Sequence, residues 1–177
     1  KFGNIKEAKE FAERYQGVDN FEIYGNTEWK YQYLADAYKG EVKFDSSLIS
    51  IGIIDLEVNS SNGFPEPKYA NEKITAITLR LNGNIYTWSY KDYTSKEENR
   101  WYIKCNSEAE LLRSFLNRWK NECPDIISGW NVKGFDIPYL VNRMVKVFGG
   151  PEQMKDLSPW RIVQERTSRI RFAGRDV

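Results

Sequence analysis

The sequence predicts an α/β protein, a mixed β-sheet with flanking helices, preceded by a small α+β segment. Three observations carry this. Residues 47–58 are an apolar run of strand length. Residues 73–81 and 84–90 form two strand patterns around an Asn82-Gly83 turn pair. After residue 106 a capped helical pattern, a short strand pattern and a second helical pattern follow in turn.

Residues 4–16 read as an amphipathic helix: Asn4 caps it, Glu7 completes a capping box and Gly17 ends it. Residues 21–45 place Trp29, Tyr31 and Tyr33 at alternating spacing, which predicts short strands with turns at Gly25 and Gly40. The run Ser-Leu-Ile-Ser-Ile-Gly-Ile-Ile-Asp-Leu-Glu-Val at 47–58 is apolar on both faces and predicts a central strand. A loop at 59–71 carries Gly63, Pro65 and Pro67. The hairpin follows, then a strand at 100–105. Ser107 and Glu110 open a helix that runs to about Glu122. Residues 125–131 read as a strand. Pro138 sits near the start of a helix reaching Phe148, where Gly149-Gly150-Pro151 stops it.

Composition narrows the chemistry. The chain has 177 residues, 41% apolar and 15% aromatic, which is enough to build a core. It contains no histidine. That removes serine–histidine and cysteine–histidine nucleophiles, histidine acid–base catalysis and histidine metal sites. Cys105 and Cys123 form no CxxC pair, so a thiolate zinc cluster is excluded. Any metal ligands must be mainly oxygen, which favours magnesium, manganese or calcium. No run of 18 apolar residues exists, and two thiols without a disulfide framework suit a cytoplasmic protein. The net charge is +1, with six Lys and Arg against three Asp and Glu from Lys155 onward. That basic tail suits either phosphate contact or a solvated end.

Two acidic signals stand out. Asp55 and Glu57 are two residues apart in a strand, so both carboxylates project from one face, near its C-terminal end. Two carboxylates beside an apolar strand are costly unless a cation pairs with them, and a divalent metal would do so. The second signal is Asn131-Val132-Lys133-Gly134-Phe135-Asp136, at a strand-to-helix junction. Gly134 permits a tight loop, and Asp136 lies at the helix start, where the dipole favours its charge. An N-cap role alone accounts for Asp136 but leaves the Asn131 and Phe135 spacing without a purpose. Together the three carboxylates predict a shared metal centre. Two ions about 4 Å apart would activate water and stabilise a leaving oxygen, which is phosphodiester hydrolysis without histidine.

With these residues in view, the sequence resembles the proofreading region of family B DNA polymerases, especially the T-even-type bacteriophage branch. The likeness rests on Ile53-Ile54-Asp55-Leu56-Glu57-Val58 as the first exonuclease motif. It rests equally on Ile127-Ser128-Gly129-Trp130-Asn131-Val132-Lys133-Gly134-Phe135-Asp136-Ile137-Pro138-Tyr139 as the second. Gly63-Phe64-Pro65-Glu66-Pro67 and Asn142-Arg143 resemble the phage branch too. The resemblance covers essentially the whole chain.

It implies a ribonuclease H-like fold, two magnesium or manganese ions, and removal of 3′-terminal nucleotides from single-stranded ends. By position, Asp55 would bridge both metals, Glu57 would bind the nucleophile-side metal, and Asp136 would support the second. Asn131 would help hold the substrate strand, and Phe64 and Phe135 would stack on or wedge between terminal bases, since aromatic faces grip single strands without reading sequence. Residues 1–45 would begin the polymerase N-terminal domain and 46–177 would be the exonuclease domain. The implied partners are a single-stranded 3′ end or primer-template DNA, the rest of the polymerase, and a sliding clamp reached through the polymerase C-terminus. No membrane is implied, and the setting is the bacterial host cytoplasm.

One departure bears on activity. The family completes its site with a third motif, a Tyr and an Asp on a later helix. No Tyr occurs after Tyr139, and 41 residues follow Asp136. The chain is therefore expected to be a fragment that stops before that motif and is weakly active or inactive alone. Two other readings compete: a stand-alone carboxylate nuclease of the same broad fold, with Asp156 or Asp176 as fourth ligand, and a silent single-strand-binding module.

Overall fold

Ile51–Val58 form β1, the strand around which the site is arranged. The computed structural model describes residues 2–24, 29–61 and 63–165, together with the backbone of 171–172 and 175–176. β1 runs antiparallel to β2 (Ile74–Leu81), and β2 antiparallel to β3 (Asn84–Ser89). β3 is parallel to β4 (Arg100–Lys104), and β1 is parallel to β5 (Ile126–Ser128). The resulting mixed five-stranded sheet has the order β4-β3-β2-β1-β5, so β1 is internal. A mixed sheet with flanking helices is consistent with a ribonuclease H-like α/β domain.

The hairpin between β2 and β3 turns as its sequence predicts: Asn82 and Gly83 both take positive φ, +50° and +79°. Ser107 caps α3 (Glu108–Asn121), its hydroxyl accepting the Glu110 N–H at 3.2 Å. α4 (Asp136–Phe148) ends on Gly149 in the left-handed conformation at φ +74°, which spares any Cβ a clash.

Both helices pack on one face of the sheet. Ile54, Leu56, Ile77, Leu79 and Trp88 are buried there with Leu111, Leu112 and Phe115 of α3 and Tyr139, Leu140 and Met144 of α4. Within this core the Trp88 indole N–H donates to Ser114 Oγ at 2.9 Å, so its polar edge is not stranded. The strict alternation of β1, with Gly52, Ile54 and Leu56 buried and Ile51, Ile53, Asp55 and Glu57 exposed, departs from a run buried on both faces. Among the described residues only one face of β1 is covered.

Contacts divide the chain into Lys1–Asp45 and Ser46–Val177. In the first unit, α1 (Ile5–Tyr15) is capped by Asn4, whose Oδ1 accepts the Glu7 N–H at 2.9 Å. Phe2, Phe11, Tyr15 and Phe21 form a ring cluster beside it. The expected strands over 21–45 are corrected: Trp29–Ala37 is a helix, α2. Aromatics at alternating positions suit a strand only when a neighbour pairs with it. Without one among the described residues, Lys-Tyr-Gln-Tyr-Leu-Ala-Asp-Ala satisfies its own backbone as a helix. Gly40 does turn, at φ +115°, whereas the turn at Gly25 lies outside the described residues. The strand expected over 125–131 is also shorter, Ile126–Ser128, because the chain turns at Gly129 to start the site loop.

Candidate active site

β1 delivers two carboxylates to one exposed face. Asp55 and Glu57 alternate with buried Ile54 and Leu56, so the core packing of the strand fixes which way they point. The β1–β2 ladder slips between Glu57, paired with Ala76, and Val58, paired with Ile74. Such a bulge at a strand end re-aims the side chains next to it. Among the described residues neither carboxylate has a lysine or arginine partner. Two adjacent, unneutralised carboxylates are hard oxygen donors of the kind a divalent cation takes.

β5 brings the second motif alongside. Gly129, the residue after β5, passes so close to β1 that a Cβ there would lie 2.5 Å from the Ile54 carbonyl oxygen. Asn131 then turns at φ +55°, and its carbonyl accepts the N–H groups of Gly134 and Phe135, both at 2.9 Å. A Cβ on Gly134 would meet the end of the Asn131 side chain, so glycine leaves room for that amide to fold over the loop. Trp130 between them is 92% exposed.

Asp136 is the first residue of α4 and is 3% exposed. Its carboxylate does not cap α4. Instead Oδ1 accepts the Leu56 N–H at 3.0 Å, beyond the point where β5 stops pairing with β1. Burial pushes its carboxyl above the ordinary range, the Leu56 hydrogen bond pulls it down, and the charge of Asp55 raises it further. Asp136 thus stands behind the Asp55–Glu57 face, near enough to feel it electrostatically. The described residues contain no cluster of three or more His, Cys, Asp and Glu side chains arranged to hold an ion.

The two aromatics expected on substrate come together. The Phe64 and Phe135 ring centroids are 5.4 Å apart, and Phe135 stacks on Tyr139 at 5.4 Å. Phe64 is 82% exposed, on the 59–73 loop, whereas Phe135 is half-buried. Asn131 is exposed beside them.

The remaining acidic candidates sit elsewhere. Asp156 pairs with Lys120 and Arg161, so its charge is neutralised away from β1. The Asp176 side chain lies outside the described residues. In the basic tail, Lys155 and Arg161 pair with Glu152 and Asp156, and the arginines beyond 165 also lie outside the described side chains.

Comparison with known proteins agrees with this geometry. The family model for the exonuclease domain of DNA polymerase family B matches residues 24–173, across both motifs. The chain belongs to the exonuclease domain of family B DNA polymerases. This exonuclease segment is 32% identical over 203 aligned residues to the DNA-directed DNA polymerase of Escherichia phage RB69, covering 99% of the chain. It is 26% identical to that of Enterobacteria phage T4, covering all of it. A shorter stretch, 53% of the chain, is 39% identical to the DNA polymerase catalytic subunit of a rat cytomegalovirus. The exonuclease segment spans about 22% of the length of the two phage polymerases. Among the described residues no helix is long and apolar enough to cross a membrane.

The sequence alone points to Asp55, Glu57, Asp136, Phe64, Asn131 and Phe135 as site candidates. It does not show that Tyr139, Asn142, Arg143 and Lys146 all hold the Phe64 loop. Their i, i+3, i+4, i+7 spacing was the available signal.

Proposed function

We propose that this chain is the 3′–5′ exonuclease part of a phage-type replicative DNA polymerase and removes terminal nucleotides from single-stranded 3′ ends. The observation that carries the reading is Asp55 and Glu57, side by side on the exposed face of β1 with no lysine or arginine partner among the described residues, at the strand end where sites of α/β sheets lie. The exposed Phe64 ring packs against Phe135 on the second motif.

In this reading Asp55 and Glu57 would hold magnesium or manganese. Such ions supply an activated water and neutralise charge on the phosphate and the leaving oxygen. Asp136, anchored to the Leu56 N–H, backs the site directly or through water. Asn131 orients the strand, and Phe64 and Phe135 stack on the terminal bases without reading their identity. Residues 1–45 begin the polymerase N-terminal domain, and 46–177 belong to the exonuclease domain. The working partners are primer-template DNA, the remaining polymerase chain and a sliding clamp, in the host cytoplasm.

The test is digestion of a 5′-labelled single strand by the full polymerase with magnesium. Loss of stepwise 3′ shortening in Asp55→Ala and Glu57→Ala is expected. Undiminished metal-dependent shortening in both variants contradicts the assignment.

A further inference from the structure

We infer that Arg143 is a positioning residue that fixes the Phe64 loop over the second motif. The inference rests on the exonuclease reading for what the loop serves, but the clamp itself is a matter of geometry. Residues 59–73 join β1 to β2 with few backbone bonds of their own, among them Ala70 N–H to the Glu66 carbonyl at 2.9 Å and Asn59 N–H to the Lys73 carbonyl at 2.9 Å. Their shape comes largely from outside. From one face of α4, Tyr139 Oη donates to the Glu72 carbonyl at 2.7 Å, and Asn142 Nδ2 donates to the Pro67 carbonyl at 3.0 Å. Arg143 Nη1 donates to the Ala70 and Asn71 carbonyls at 3.0 and 2.8 Å. Lys146 Nζ reaches Asn71 Oδ1 at 2.6 Å.

Arg143 is the centre of this set. Its Nε and Nη2 donate to both oxygens of Glu108 at 2.8 and 2.7 Å, a bidentate pair whose side chains are only 15% and 11% exposed. Glu108 Oε1 also accepts the Ile74 N–H at 2.8 Å. The Arg143–Glu108 pair therefore ties four segments: α4, the loop, the start of α3 and, through Glu108, the start of β2. The strain sits at the same place. Ala70 is fully buried at φ +40°, a conformation that L-residues keep only when their surroundings impose it, and Arg143 takes its carbonyl.

The same helix starts with Asp136 and follows directly on Phe135. A rigid α4 thus sets both sides of the aromatic pair. It also sets a groove of about 160 Å3 beside Phe64, whose walls include Tyr69, Asn71 and Glu72. Arg143 touches neither Phe64 nor the carboxylates. Its effect on substrate runs through the loop.

The experiment uses this chain, with Arg143→Lys as the main variant because it keeps the charge and the fold while losing the planar fork. Arg143→Ala is the second variant. Amide hydrogen exchange should speed up about tenfold or more over residues 63–72 in Arg143→Lys, with the amides of Ile54–Leu56 unchanged. Binding of a short single strand with 2-aminopurine at its 3′ end should weaken about tenfold. Binding of the same strand with an abasic 3′ end should change little. Arg143→Ala should exaggerate both effects. Loop amides that exchange as in the parent chain, or all amides speeding up together with an equal loss for both strands, overturn the positioning role. If the parent chain does not quench 2-aminopurine at all, the nucleotide-binding reading fails, and the exchange data alone decide the clamp.

Discussion

Asp136 Oδ1 accepts the backbone N–H of Leu56 at 3.0 Å, across 80 residues of sequence. Leu56 sits between Asp55 and Glu57, so one hydrogen bond couples the second motif to the strand that displays the first. It also explains why the carboxylate is buried: it satisfies a strand donor that β5 is too short to reach. Asp136→Asn keeps an acceptor for Leu56 and is expected to change stability by less than about 1 kcal/mol. Asp136→Ala leaves the donor unpaired and should cost about 1–3 kcal/mol by urea denaturation. Equal losses in the two variants would show that the Leu56 bond is not what Asp136 supplies to the fold.

Two glycines of the second motif should separate stability from binding. In Gly129→Ala the new methyl meets the Ile54 carbonyl, which belongs to the core strand and cannot move away; a loss of about 1–3 kcal/mol is expected. In Gly134→Ala it meets the end of the Asn131 side chain, which can swing aside. That variant should melt near the parent chain but bind single-stranded DNA more weakly, as read by fluorescence anisotropy.

Phe64 offers a cleaner separation. With most of its ring in solvent, Phe64→Ala should shift stability by no more than about 0.5 kcal/mol. Affinity for a single-stranded 3′ end should fall about tenfold, the effect of losing one stacked base. Phe64→Trp should retain binding. A stability loss comparable to that of a core truncation would place the ring in the fold instead of on the substrate.

Acid should loosen the β1–β5 junction. Asp125 Oδ2 accepts both the N–H and the hydroxyl of Ser50 at 2.8 Å, and these bonds hold its carboxyl below the usual range. A carboxyl depressed in the folded state adds stability above its unfolded pKa, and that stability is lost as pH falls through the folded pKa. Asp125→Asn should therefore be less stable than the parent at neutral pH, with the difference shrinking toward pH 3. A difference independent of pH would contradict this linkage.

Most of the sheet and both packed helices were legible because each carried a local signal that tertiary packing reinforced. Asn82-Gly83 forced its turn, Ser107 capped its helix, and Gly149 ended one. The helix at 29–37 was not legible. Its aromatics alternate, and only the absence of a pairing strand among the described residues decides for a helix. The site divided in the same way. Asp55 and Glu57 are paired by strand period alone, so their shared face could be read directly. The bond from Asp136 to Leu56 depends on β5 ending at Ser128, and the Arg143 clamp depends on the loop folding back onto α4. Both are long-range consequences with no local signature.

Manganese titration by calorimetry gives a view of the site without catalysis. This chain should bind manganese weakly through Asp55 and Glu57, and Asp55→Asn should abolish the heat. Binding that survives Asp55→Asn together with Glu57→Gln would move the cation elsewhere.

Whether Asp55 and Glu57 carry metal-dependent 3′-end hydrolysis is decided by following a 5′-labelled single strand with the full polymerase and magnesium. The expected result is a ladder of 3′-shortened products that slows by at least about a hundredfold in Asp55→Ala, with polymerisation on a primed template retained. An undiminished ladder in Asp55→Ala, or one equally strong when magnesium is chelated, would contradict it.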